Sequence, residues 1–282
     1  IQKMAILERY CLRRLFLYKI IRLRYQDKRN SRMEIDLILL LILIATFATA
    51  FLSSIFGMLG GLILMGILIS FLSVGPAMVL HGLIQATSNG YRAWLNRANI
   101  HWKIILTMLI GSFISLVILF FIAFQPSQIL VIFALGLLPY IAWLVPKELS
   151  LDVTKPAIGV LAGGVVVGTN LVAGVGGPLL DVFFQRVDMT RHQVVATKAI
   201  AQTIGHISKI IFFGGLVVSF SFENWPNPVF LIFAIIFSVI GTTLGKKVLD
   251  IIDDEIFFRW TQIIVLSVGT VFIIRGLFLL FQ

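Results

Sequence analysis

Residues 57–61 read Gly57-Met58-Leu59-Gly60-Gly61, and residues 174–178 read Gly174-Val175-Gly176-Gly177-Pro178. Each stretch follows a long apolar run, over 35–56 in the first case and 156–173 in the second. Glycine and proline at such places free backbone groups that hydrocarbon cannot satisfy, so the breaks must be buried in protein or line a wet cavity. A shift of 117 positions sets Gly57 on Gly174 and Gly60 on Gly177 without a gap. The same shift sets Gln85 on Gln202, Asn89 on His206 and Arg92 on Lys209, which defines an internal repeat.

Outward from the breaks, the chain is apolar over most of its length. Of its 282 residues 59% are hydrophobic and 13% charged, with a mean hydropathy of +1.02. Soluble domains are nearer half apolar and a quarter charged, so the composition excludes a water-soluble enzyme. Apolar segments run at about 35–56, 58–74, 77–93, 103–124, 128–146, 156–173, 177–185, 191–218, 228–245 and 256–281. Most reach the roughly 20 residues a helical span needs. The fold class is an all-α polytopic membrane protein of two repeats. The first occupies 33–146 and the second 156–282, joined by a cytoplasmic linker at 147–155. Each repeat reads as a Gly-broken helical hairpin followed by three transmembrane helices.

The net charge of +10 is concentrated at one end, where residues 1–32 carry +8 of it. A nucleic-acid-binding body is thereby excluded. Met33 stands directly before the first long apolar run and reads as the start, with 1–32 lying upstream of it. The rival reading is a basic amphipathic helix, Ala5 to Tyr25, lying on an anionic membrane face. The single cysteine, Cys11, falls in that segment, so the membrane body has no disulfide and no thiolate chemistry.

Loop charges give an orientation. Lys or Arg occurs in loops 91–103, 146–155, 185–191 and 246–259, and none in 125–127 or 219–227. With the positive loops cytoplasmic, each Gly-broken pair must return to its starting side, one half starting outside and the other inside. That is an inverted repeat, a plan of secondary transporters. It puts the N-terminus outside, which agrees with a start at Met33; otherwise the first hairpin is a true crossing.

Two features carry chemistry. The breaks, at Gly57, Gly60 and Gly61 and at Gly174, Gly176 and Gly177, would present unpaired backbone N–H groups and positive helix ends to an anion. Close helix packing through small residues is the competing reading. His81, Gln85 and Asn89 share one helical face, as do Lys198, Gln202 and His206, with Lys209 three residues on. Ionisable groups within a span normally face a cavity or partner, and these types suit an oxyanion; interhelical hydrogen bonding that only holds the bundle is the alternative. Arg92 and Lys209 lie nearer helix ends and read as snorkelling to the interface.

Asp181 could carry a proton or pair with Lys198 or His206. His192 reads as a surface residue, and Trp94, Trp102, Trp143, Trp225 and Trp260 as interfacial belts. No second acid accompanies Asp181 for aspartyl protease chemistry, the four histidines are too scattered for an HExxH zinc site, and no P-loop is present. No cofactor or metal is expected.

These residues resemble the sulfite exporter TauE/SafE family of membrane permeases. The resemblance runs over about 45–281 and rests on both Gly-rich breaks, on Gln85 and Asn89, and on Ala196-Thr197 and Gln202. The chain departs from the family pattern at Leu62, where a third Gly and a Pro are usual, and at Lys198, where a small or hydroxyl residue is. The resemblance implies a multi-pass carrier in a bacterial inner membrane, moving sulfite, an organosulfonate or a related small anion by alternating access. The anion would be held at the breaks and by Gln85, Asn89, Lys198, Gln202 and His206, with Asp181 or His206 as proton-coupling groups. The expected partners are the anion and the bilayer, with a homo-oligomer left open and no nucleic acid. The alternatives are a membrane assembly or scaffold protein without transport, and a cation carrier using Asp181.

Overall fold

The computed structural model describes residues 36–57, 59–146, 151–185, 187–216, 228–249, 251 and 254–281. The basic segment 1–32, Met33, Lys147, Arg186, loop 219–227 and Trp225 lie outside the described residues. The chain packs as two units, Ile1–Ile42 and Leu43–Gln282. Of the first, helical residues 36–42 are described. Every contact given below is within the second.

The apolar segments become helices, and no strand occurs among the described residues. In chain order they are α1 (Asp36–Phe56), α2 (Leu59–Phe71), α3 (Val74–Leu95), α4 (Trp102–Phe121), α5 (Gln128–Leu144), α6 (Pro156–Ala173), α7 (Gly177–Phe183), α8 (Arg191–Ile211), α9 (Pro228–Leu249) and α10 (Asp254–Leu280). Among the described residues, five helices are long and apolar enough to cross a membrane: α1, α4, α6, α9 and the Trp260–Leu280 part of α10. At 1.5 Å per residue, α2 and α7 extend only about 20 and 10 Å, short of the roughly 30 Å hydrocarbon core.

Local chemistry sets the ends of these elements. Pro156 opens α6 at a position where its missing N–H costs nothing. Gly174 closes it in the left-handed conformation, φ 78°, its N–H donating to the Asn170 carbonyl at 3.0 Å. Gly57 turns the chain between α1 and α2 at φ 69°. These are the two positive-φ glycines among the described residues, and they are the pair aligned by the 117-residue shift. A capping box opens α8, in which Gln193 N–H donates to Thr190 Oγ1 and the Thr190 N–H to Gln193 Oε1.

Packing is closest where side chains are smallest. Along the α4–α6 seam, Gly159 faces Thr107, Gly111 faces Val160 and Gly164, and Gly168 faces Ser115, so the two helices run parallel. In the same way α9 lies along α1, with Gly241 on Phe47 and Ala50 and Gly245 on Phe51 and Ser54. By contrast, α3 and α8 run antiparallel: Gly82 meets His206 and Ile210, and Gly90 meets Thr203. A second antiparallel pair is α5 with α10, through Gly136 on Ile273 and Gly276 on Phe133. Dispersion and interhelical hydrogen bonds, such as Ser54 Oγ to the Thr242 carbonyl at 2.8 Å, hold such seams where no hydrophobic effect acts between helices.

Burial is layered accordingly. Leu59, Leu62, Leu64, Met65, Leu68 and Ile69 of α2 are all 0% exposed, so this short helix is enclosed by protein up to its last two residues, Ser70 and Phe71. Phe113, Ile118 and Phe121 of α4, Ile232 and Phe233 of α9, and Val271 and Phe278 of α10 are exposed, as lipid-facing side chains would be. Trp94, Trp102, Trp143 and Trp260 are exposed too, which suits an interfacial belt.

A Cβ added at Gly163 would collide with the Met108 carbonyl, whereas one at Gly90 would meet Thr203 Cγ2 at an ordinary 3.6 Å. Gly163→Val is therefore expected to destabilise by at least about 1–3 kcal/mol through overpacking. Gly90→Ala is expected to be neutral or slightly stabilising. Thermal unfolding of the two variants in detergent checks the contrast.

Candidate functional site

The two breaks and the two polar stripes meet where α3 packs on α8. His81 Nε2 lies 2.8 Å from the Gly61 carbonyl oxygen. A carbonyl can only accept, so Nε2 carries the proton and Nδ1 is left as an acceptor. Lys209 Nζ donates to that Nδ1 at 2.6 Å and to the Gly174 carbonyl at 2.7 Å. One line of hydrogen bonds thus joins the first break, α3, α8 and the second break. The His206 ring sits edge-on to His81, with centroids 5.4 Å apart.

Lys209 corrects the sequence expectation. Instead of snorkelling to an interface it is 0% exposed. Its helix does not end there: α8 continues into a π-helical turn, Phe212–Leu216, a feature often found beside functional sites. The ammonium turns inward because acceptors stand across the seam, at His81 and at the second break. The signal was present in the sequence, since Lys209 extends the Lys198, Gln202, His206 stripe by one turn. Arg92, its counterpart by the 117-residue shift, is likewise drawn inward, one guanidinium N–H reaching Asn89 Oδ1 at 3.5 Å.

Gln85 and Asn89 are both buried, each 2% exposed. Asn89 Nδ2 donates to the Gln85 carbonyl at 3.0 Å and to Gln85 Oε1 at 3.3 Å. The Gln85 amide also lies against Gly61, about 3.4–3.5 Å from where a Cβ there would be. With Oε1 engaged, Gln85 Nε2 remains buried with no protein partner. So does His206 Nδ1, on a side chain 5% exposed. Gln202 is buried on the same α8 face.

Other expected residues fall elsewhere. Lys198 forms an ion pair with Asp181, both side chains partly exposed. It stands eight residues before His206, about 12 Å along the helix, and so outside the Lys209 cluster. Close packing accounts for Gly60 and Gly176, whose added Cβ atoms would collide with the carbonyls of Thr49 and Val166. Gly177 is the first, buried residue of the seven-residue α7. Gly57 is different, because a Cβ there would meet nothing within 4 Å. The break carbonyls of Gly61 and Gly174 serve as acceptors, a role the sequence reading did not foresee. It also missed Asn170, buried on α6 with Oδ1 unpartnered and its amide against Gly205. His192 is exposed, as expected. Among the described residues no group of three or more His, Cys, Asp or Glu is arranged to hold a metal.

A protein-family model described as Sulfite exporter TauE/SafE matches residues 41–273. No curated protein and no solved structure gives a match.

His81→Phe would leave one Lys209 N–H unpaired in a buried setting and remove the hydrogen bond to the Gly61 carbonyl. It is expected to destabilise by at least about 2 kcal/mol. Asp181→Asn breaks a partly exposed pair and is expected to lose less than about 1 kcal/mol. Parallel melting curves in detergent measure the difference.

Proposed function

Since this chain belongs to the sulfite exporter TauE/SafE family, a family of membrane transporters, we propose that it is a secondary permease for a small anion, sulfite or an organosulfonate being the best candidates. The observation that carries the reading is the pair of buried, unpartnered polar atoms beside the breaks, Gln85 Nε2 and His206 Nδ1. An amide N–H buried without an acceptor costs about 1–3 kcal/mol, and an oxyanion relieves that cost on binding. The substrate site lies between the breaks. Gln85, Asn89, Gln202 and His206 form its wall, with Gly57, Gly61 and Gly174 lining the turn of each break. Lys198 and Asp181 balance each other at its periphery, and Gly60, Gly176 and Gly177 keep the hairpins closed.

Alternating access operates between two inverted repeats, α1–α5 and α6–α10. Several features support this plan. Left-handed glycines occur at matching positions, equivalent helices α3 and α8 run antiparallel, as do α5 and α10, and the α4–α6 seam is matched by α9 on α1. Exchange of such halves about an axis in the membrane plane alternates the opening of one midplane site. The host membrane is a bacterial inner membrane. His206 is the group best placed to couple a proton. Asp181, already paired with Lys198, is poorly available for carrying a cation.

Proteoliposomes holding the full chain are expected to take up labelled sulfite or a small organosulfonate saturably. Folded Gln85→Ala and Gln202→Ala variants should lose about tenfold or more in kcat/KM, the loss of a hydrogen bond to a charged group. Absence of flux for sulfite, sulfate and organosulfonate alike, with intact protein, would contradict the permease reading.

A further inference from the structure

Lys209 is the one fully buried lysine among the described side chains, and both of its hydrogen-bond partners, the His81 ring and the Gly174 carbonyl, are neutral acceptors. An ammonium taken out of water is very costly unless it is paired, so a charged Lys209 calls for an anion beside it. Lys198 shows the contrast within the same helix, since it is less buried and has Asp181 beside it. Two of the three Lys209 N–H groups are committed, which fixes the direction of the third. The His206 ring stands 5.4 Å from that of His81, and the Gln85 amide packs on Gly61, the residue His81 bonds. The Lys209 amine therefore stands at the junction of both breaks, among unpartnered polar atoms.

We propose that Lys209 is the residue that supplies the countercharge to the transported anion, and that His81 and the Gly174 carbonyl are positioning groups holding its ammonium toward the substrate. The inference rests on the permease reading and deepens it. The ligand is a small oxyanion with two or more oxygens on one centre, one accepting from Lys209 Nζ and another from Gln85 Nε2. Because Lys209 is bonded to the Gly174 carbonyl directly and to the Gly61 carbonyl through the His81 ring, the countercharge is linked to both halves.

The test uses the full chain in proteoliposomes with labelled sulfite, comparing wild type with Lys209→Gln, Lys209→Arg and, as a surface control, Lys103→Met. Glutamine keeps a donor for the two acceptors while removing the charge. The expected result is a KM raised at least about tenfold in Lys209→Gln, partial recovery in Lys209→Arg, and wild-type values in Lys103→Met. Sulfite should also raise the melting temperature of wild type but not of folded Lys209→Gln, a readout that a merely structural role for Lys209 would not remove. If neither Lys209 variant folds, NMR of wild type carrying 15N-labelled lysine takes their place. Sulfite should then shift the Lys209 Nζ resonance while leaving that of Lys103 in place, and an unmoved Lys209 resonance overturns the proposal. A folded Lys209→Gln protein with unchanged KM also overturns it while leaving the permease reading intact. Wild type that carries no sulfur anion removes both.

Discussion

Within hydrocarbon, every backbone polar group must find its partner inside the protein, and this structure follows from how that requirement is met at two places where helices stop. At Gly57 and Gly174 the chain leaves helical geometry, and backbone groups beside the turns lose intrahelical partners. His81 supplies one donor, to Gly61, and Lys209 another, to Gly174. The two side chains then bond each other across the α3–α8 seam. Satisfying the breaks thus fixes the position of a buried lysine, so the structural requirement and the proposed chemistry rest on the same three hydrogen bonds.

The small-residue seams make that arrangement reachable. A lysine side chain can span from α8 to both α3 and the second break only if the helices approach closely, and Gly82 lets His206, Lys209 and Ile210 come against α3. The α4–α6 and α1–α9 seams do the same for the outer helices. Short α2 is enclosed by protein, while the long α4, α9 and α10 turn apolar side chains outward. A polar interior within an apolar shell is what remains once lipid replaces water as the outer solvent.

Much of this was legible in the sequence. Apolar run lengths gave the helices, because span length is a property of composition alone. The glycine pattern located both breaks, and its repeat at one offset anticipated the matching left-handed turns. Period-four spacing puts His81, Gln85 and Asn89 on one face, and Lys198 is one of the two partners that the sequence offers Asp181. What could not be read was which acceptors stand across a seam. Lys209 looked like an interfacial residue because proximity to the end of an apolar run is visible in one dimension, while His81 Nδ1 and the Gly174 carbonyl meet it only in three. The break glycines were likewise ambiguous: Gly60 and Gly176 serve close packing, Gly57 faces open space, and nothing local in the sequence distinguishes them.

The most direct test of an anion held between the two breaks is to locate one there. Selenite has the charge and shape of sulfite and carries a strong anomalous scatterer. Diffraction from crystals soaked at a concentration that half-saturates transport should show an anomalous peak within hydrogen-bonding distance of Lys209 Nζ and Gln85 Nε2. Anomalous peaks confined to the protein surface, with ordered density and none beside the breaks, would contradict the account.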